Sequence, residues 1–260
     1  MTLQDDNPAA CQKTFMEHLE DLRTTILWSA GFLFIGLLIA IPIAPLVLRL
    51  IKLPVARAGV DADSFLRVLG VTSGFSIAMK IVFWCGLLIA MPGILYAVGR
   101  FVLPGLTRRE RRAVGVILSL ASVLFAGGVC MGYFLTLPIA LNWLLTFNAW
   151  MGVRCDFVEL GDYVSFAMKV LAACGLGCEL PVVVLALGYL GIVSSATLRR
   201  YRRHVVVVVL IIAAILTPPD VMSQLMLAVP MQVLYEACIW IVWFKERTRA
   251  KALAAESETP

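Results

Sequence analysis

The residues best suited to chemistry are carboxylates that lie among arginines beside long apolar segments. Glu110 has two arginines on each side, within residues 108–112, and the pair Glu20-Asp21 comes shortly before Arg23. Neighbouring guanidinium groups keep a carboxylate such as Glu110 ionised. An ionised carboxylate inside a basic loop therefore stands out as a candidate binding group.

Simpler interpretations of these acidic residues stay open. The pattern Thr107-Arg-Arg-Glu110 fits a capping box at the start of a helix, in which Glu110 would have only a local role. Glu20 is three residues before Arg23, the spacing of an ion pair along one helix face. Arginines 108, 109, 111 and 112 also fit an ordinary cytoplasmic loop of a membrane protein.

A second candidate group lies inside an apolar segment, in Cys178-Glu179-Leu180-Pro181. Pro181 has no N–H and leaves the carbonyl of Gly177 without its helical partner. A charge at this depth costs at least a few kcal/mol unless it is partnered or hydrated. Glu179 is either a carboxyl group bonded to nearby backbone or a polar site for the transmembrane helix of a partner. For Glu236, nearer the end of its segment, a structural role is favoured.

The sequence lacks motifs of catalysis or metal binding. It has no HExxH, GxSxG or P-loop pattern, and its seven cysteines, none spaced as C-x-x-C, accompany only two histidines. We expect no enzymatic activity, no cofactor and no metal. The net charge of +5 comes from basic residues in loops beside the apolar segments, where lipid headgroups would bind these residues. It does not indicate a nucleic-acid surface. Cys174 and Cys178, on one helix face, favour close helix packing.

Composition identifies the chain as an all-α membrane protein. It is 61% hydrophobic and 15% charged, with a mean hydropathy of +0.91. A transmembrane helix needs about 20 apolar residues, and six apolar runs predict six such helices. The fifth, with about 13 residues, covers only about 20 Å. The runs are 26–48, 75–98, 113–145, 164–190, 205–217 and 221–244.

Positive charge predicts the orientation of these helices. Of 22 Lys and Arg, 15 lie in the N-terminal segment, the second and fourth loops and the C-terminal tail. Basic loops face the cytoplasm, so both termini are expected there. Pro218-Pro219 ends the fifth run and Asp220 is placed to cap the sixth, which predicts a tight antiparallel hairpin.

The domain organisation follows from the same runs. We expect a disordered N-terminus at residues 1–12, one membrane domain at 13–247 and a disordered cytoplasmic tail at 248–260. A secondary transporter of a small solute is an alternative that Glu179 and Glu236 would support. The sequence shows no repeat with matched broken helices, which weakens that alternative. A purely structural membrane scaffold is a second alternative.

The ordered series of motifs resembles TatC, the core membrane subunit of the twin-arginine protein translocase. The resemblance covers about residues 14–244, and each motif alone would be weak. In chain order the motifs are FMEHLEDLR at 15–23, FVLPGLTRRERR at 101–112, Phe166 with Glu179-Leu180-Pro181, LRRYRR at 198–203 and LTPPDVMSQ at 216–224.

The resemblance implies a membrane receptor for signal peptides that carry consecutive arginines. In the family one acidic residue of the N-terminal motif and one of the first cytoplasmic loop contact the arginine pair, and these roles fall on Asp21 and Glu110. The first position is usually Glu, one methylene longer than Asp21, so Glu20 could share this role. The resemblance also implies residues that shape the site (Arg23, Phe101, Arg111 and Arg112) and structural residues (Pro104, Pro181, Pro218, Pro219 and Asp220).

The family also implies partners and an energy source. It works with the single-span proteins TatA and TatB, with one partner site along the fifth span and another near the sixth. Glu179 would face a polar residue of a partner helix, with Gln224 near the outer hairpin. Transport would use the proton gradient across the cytoplasmic (inner) membrane, and the chain is expected to self-associate and to contact lipids.

Overall fold

The computed structural model describes residues 15–57, 61–102, 108–153, 156–189, 193–216 and 221–257, and most of them are helical. A π-helical turn lies at Gly132–Thr136, and Pro138, the second residue after it, has no N–H to donate to the preceding turn. The helices are α1 (Phe15–Arg57), α2 (Ala62–Phe65), α3 (Ser73–Val102), α4 (Arg108–Met131), α5 (Leu137–Trp150), α6 (Leu160–Tyr189), α7 (Ser195–Leu216) and α8 (Val221–Ser257).

The predicted six-span architecture is confirmed. Within the described ranges, five helical segments are long and apolar enough to cross a membrane, and α4, the π-helical turn and α5 together form one of them. The remaining crossing is α7, whose apolar part at 205–216 is shorter than the roughly 20 residues that a span requires. The short fifth span predicted from the sequence is thus present.

The connections between spans alternate between two faces of the molecule. On one face, the β face, β1 (Leu66–Arg67) pairs in parallel with β2 (Val158–Glu159), which joins the loops that follow α1 and α5. The other face, the basic face, is formed by residues 15–23, 100–102, 108–112, 193–204 and 244–257. The loops that are rich in Lys and Arg therefore lie on one face, and the loops with few positive charges lie on the other.

Helix α6 forms the centre of the molecule. In its most apolar stretch 67% of the residues are buried, against 17% in α1. It packs closely on α4, because a Cβ at Gly128 would lie 2.6 Å from the carbonyl oxygen of Cys174 and 2.7 Å from Sγ of Cys178. Both cysteines are buried there, which confirms that they serve as small packing residues.

Proline shapes the end of α1. Pro54 has no N–H and frees the carbonyl of Leu50, and the hydroxyl of Tyr133 donates to that oxygen at 2.8 Å. Tyr163 donates to the next carbonyl, that of Ile51, at 2.7 Å. Two tyrosines from the third and fourth spans thus tie the proline-containing end of α1 to the rest of the fold.

The end of α8 differs from the expectation for the tail. The helix continues to Ser257, although a disordered segment was expected from residue 248. The extra turns are rich in Ala, Lys, Arg and Glu, which favour helix once a helix has already begun. The expected disorder at 1–12 lies outside the described residues, as do Pro104, Pro218, Pro219, Asp220 and Thr107, which begins the predicted capping box.

Candidate functional site

The register of α1 against α3 brings the predicted binding residues to one end of the molecule. Gly93 packs on Phe32 and Gly86 on Leu37, so the two helices run antiparallel. Asp21 is eleven residues before Phe32, and eleven residues after Gly93 the chain has just left α3. Asp21 therefore lies level with the end of α3, close along the chain to Phe101, and α4 begins with Arg108 shortly after.

The first turns of α4 carry the other half of this candidate site. The backbone of Glu110, Arg111 and Arg112 is helical and lies on the basic face. Their side chains lie outside the described part of the structure, so the capping-box role and the binding role of Glu110 stay predictions. The fold thus brings Asp21 and Glu110 to the same face from two different helices.

Around Asp21 the structure shows a local ion pair. Arg23 Nη1 lies 3.3 Å from Glu20 Oε1, which confirms the pairing expected from their spacing. The two side chains are 71% and 67% exposed, so the pair contributes little to stability. Asp21 is partly buried, and its backbone carbonyl accepts a hydrogen bond from Thr25 Oγ1 at 2.8 Å. Glu20 therefore already has an arginine partner within its own helix.

Glu179 is the exceptional polar group of α6. Its Oε1 atom is buried and has no hydrogen-bond partner among the described residues. Two residues further, the carbonyl of Pro181 accepts a hydrogen bond from Cys238 Sγ of α8 at 3.2 Å, so the proline joins two spans. A buried carboxylate oxygen without a partner is costly, which makes Glu179 suited to receive a polar group from outside the chain.

The remaining predicted polar residues join helices. Gln224 Nε2 donates to the carbonyl of Leu210 at 2.9 Å and links the first turn of α8 to α7 beside the predicted hairpin. Glu236 Oε2 lies 2.5 Å from Arg202 Nη2, which confirms the structural role expected for it. Within the described ranges no cluster of His, Cys, Asp and Glu could hold a metal ion.

Sequence reasoning missed the role of Glu246. Its carboxylate accepts hydrogen bonds from the backbone N–H of Ser195, at 3.0 Å, and from the hydroxyl of the same residue. From α8 it therefore caps the start of α7, where its negative charge meets unpaired N–H groups. The local signal was Ser194, whose Oγ accepts from Thr197 N at 3.2 Å, but a partner 51 residues away leaves no sequence pattern.

Comparisons with known proteins agree in one result. A family model described as "Sec-independent protein translocase protein (TatC)" matches residues 17–230. The TatC protein of Carboxydothermus hydrogenoformans is 37% identical over 232 residues, which are 89% of this chain and 93% of that protein. TatC of Escherichia coli K12 is 32% identical over 244 residues, 94% of this chain and 91% of that protein.

A solved structure extends the similarity to the fold. A crystal structure described as that of the twin arginine translocase receptor TatC superposes with a TM-score of 0.76 at 31% identity. The superposition covers 87% of this chain and 98% of that one. The six-span fold is therefore shared along almost the whole length of that protein.

Proposed function

Since the chain belongs to the TatC family of Sec-independent protein translocase proteins, we propose that it is a receptor for twin-arginine signal peptides and the core component of a translocase. It exports folded proteins across the cytoplasmic membrane at the expense of the proton gradient. The observation that carries this proposal is the superposition, at a TM-score of 0.76, on a structure described as a twin arginine translocase receptor. The alternative of a small-solute transporter is not favoured by these comparisons.

Arginine recognition is assigned to Asp21 and Glu110 on the basic face. A guanidinium group can form two parallel hydrogen bonds with a carboxylate, a geometry that the ammonium group of lysine does not reproduce. The α1–α3 register supports this assignment, because it brings Asp21 level with the end of α3, and Glu110 lies in the first turn of α4 on the same face. Arg23, Phe101, Arg111 and Arg112 shape the site, and Glu20 is the secondary acid because it is paired with Arg23.

The charge contacts alone would give weak binding. Exposed ion pairs contribute about 0–1 kcal/mol each, so two of them give little affinity. The apolar part of the signal peptide therefore adds affinity by lying against the exposed apolar sides of the spans. Such surface is available on α1, where Phe34, Ile35 and Leu38 are more than half exposed.

The chain itself is a multi-pass membrane protein, and we assign both termini to the cytoplasm. The support is the concentration of Lys and Arg on the basic face, which carries the start of α1 and the end of α8. The signal peptide of a newly made protein arrives on that side. The chain acts by binding and needs no catalytic residue, cofactor or metal.

TatA-like and TatB-like single-span proteins are the proposed partners, together with further copies of this chain. Glu179 receives a polar residue of a partner helix, because its buried Oε1 has no hydrogen-bond partner within the described ranges. Gln224, beside the hairpin of α7 and α8, is assigned to a partner contact near the outer surface. Translocation of folded cargo then depends on an opening that recruited partners complete.

Site-specific photocrosslinking tests the receptor function. A photoreactive residue replaces Asp21 or Glu110 in turn, one acid being retained each time, and membranes are incubated with a twin-arginine precursor. Crosslinks to the precursor are expected from both positions and should fall sharply when its arginine pair is changed to lysines. A probe at Lys169, exposed on α6 and outside the basic face, is the control. Equal crosslinking of the lysine precursor would contradict recognition by guanidinium geometry.

A further inference from the structure

An aromatic cluster lies at the end of the sixth span. The ring of Trp243 contacts Trp240 with centroids 5.9 Å apart and Phe244 with centroids 5.7 Å apart, both nearly edge to face. Trp240 is 57% exposed and Phe244 is 65% exposed. Tryptophan side chains concentrate at the boundary between hydrocarbon and headgroups. The cluster therefore presents apolar rings to lipid at the level where the basic face begins.

Arginines from two helices converge on this cluster. The guanidinium carbon of Arg199, from α7, lies 5.9 Å from the ring centre of Trp243, and that of Arg247, from α8, lies 5.3 Å from it. The indole face attracts both cations. Arg203 is one helical turn after Arg199 on α7 and is exposed. Two guanidinium groups thus contact one aromatic ring, and a third basic side chain follows one turn along α7.

The nearby carboxylates are already engaged. Glu236 pairs with Arg202, and Glu246 accepts the two hydrogen bonds from Ser195. In the part of the chain that the structure describes, no ion pair involves Arg199, Arg203 or Arg247. Residues 195–204 and 236–248 hold six basic and two acidic side chains, a net charge of +4. This excess of positive charge favours an anion from outside the chain.

We propose that Arg199 and Arg247, which both contact Trp243, bind the phosphate of an anionic phospholipid, with Arg203 one turn along α7 adding to the positive charge. Guanidinium groups match phosphate oxygens through paired hydrogen bonds, and basic clusters at the membrane surface attract anionic headgroups. The acyl chains lie against the exposed rings of Trp240 and Phe244. This arrangement distinguishes a lipid from free phosphate, which makes no use of the aromatic rings. The site fixes the start of α7 and the neighbouring part of α8 in the leaflet on the basic face, a role separate from signal-peptide binding.

Lipid binding by the purified full chain tests the proposal. The protein in neutral detergent is titrated with cardiolipin, and bound lipid is counted by mass spectrometry of the intact complex. In Arg199→Gln/Arg247→Gln the apparent affinity should fall about thirtyfold, because each arginine near an anionic surface contributes about a factor of five. The matched control, Arg49→Gln/Lys169→Gln, also removes two exposed positive charges but leaves the cluster intact, and should bind as wild type. Equal losses in the two variants would overturn the proposal.

Further variants separate a built site from general attraction. Arg199→Lys/Arg247→Lys keeps the charge and should still bind more weakly than wild type, so unchanged binding contradicts the proposed geometry. Arg203→Gln is the second probe if the double variant does not fold, and a loss of about fivefold is expected. Inorganic phosphate, added at the same concentration as cardiolipin, should displace little of the bound cardiolipin. Full displacement would show that the site takes phosphate alone and would reject the lipid assignment.

Discussion

Helix α1 and helix α6 are both long apolar spans, but their surroundings differ sharply. In the most apolar stretch of α1 only 17% of residues are buried, whereas the corresponding share of α6 is 67%. Helix α1 packs mainly along one side against α3, where a Cβ at Gly36 would lie 2.4 Å from the carbonyl oxygen of Gly86. Helix α6 contacts α4 on one side and α8 on another, as Gly128 and Met231 show.

This difference separates recognition from support. A helix enclosed by its neighbours cannot change without repacking several spans, because protein interiors are densely packed. A helix with free sides can present groups to a ligand at little cost to the fold. The proposed arginine-binding residues lie at the α1, α3 and α4 ends, while α6 holds the spans together. Substitutions at the binding end should therefore affect function and those at α6 contacts should affect stability.

Charge reversal at Glu110 should give the largest functional effect. In Glu110→Lys the binding acid becomes a base among four arginines, and it repels the arginine pair of the signal peptide. Export of a twin-arginine reporter is expected to fall to background, measured by the periplasmic fraction of the reporter. The protein should stay folded in the membrane, since the position is at the start of α4. Wild-type export by this variant would contradict the assignment of Glu110 to the binding site.

The largest stability effect is expected at the α4–α6 contact. In Gly128→Val the new side chain meets the backbone of Cys174, at 2.6 Å from its carbonyl oxygen. Overpacking of this kind costs about 1–3 kcal/mol, so the purified protein should unfold at a lower temperature. Gly127→Val is the matched control, because a Cβ at Gly127 meets nothing within 4 Å. Thermal unfolding in detergent should separate the two variants, and equal curves would contradict the packing described for α6.

Substitution of Glu179 tests whether every residue of α6 serves to hold the spans together. Among the described residues Oε1 of Glu179 has no hydrogen-bond partner, so this carboxylate destabilises the fold. Glu179→Gln keeps a buried polar group and Glu179→Ala removes it, so the alanine variant should be no less stable in detergent than the glutamine variant. Transport or copurification of partner proteins should nevertheless drop, while crosslinking of the signal peptide stays near wild type. The measurements are pull-down of tagged partners and the Glu110 crosslink. If Glu179→Ala lost the signal-peptide crosslink but kept its partners, the assignment of Glu179 to partner binding would be contradicted.

How far the sequence predicts this molecule depends on how local each signal is. Hydropathy and charge encode the six spans, the short fifth span and the Glu20–Arg23 pair, because these depend on neighbours along the chain. The capping of Ser195 by Glu246 and the capture of the Leu50 carbonyl by Tyr133 depend on how helices rotate and slide against each other. Hydropathy does not determine that rotation. The family motifs supply Asp21 and Glu110, and the structure adds only that their positions share one face.

The smallest effect is expected where α7 meets α8. Its size shows whether this pair of spans resembles the accessible α1 or the enclosed α6. Arg202 and Glu236 lie 2.5 Å apart but are 45% and 32% exposed, so their pairing should contribute about 1 kcal/mol or less. A double-mutant cycle with Arg202→Gln and Glu236→Gln, followed by thermal unfolding, measures this coupling. A small coupling groups the junction with the accessible helices, held by the hydrogen bonds of Tyr235 and Glu246 rather than by the Arg202–Glu236 pair. A coupling of several kcal/mol would instead mean that the junction is dry and supports the fold as α6 does, because only a desolvated pair is so sensitive to loss of one partner.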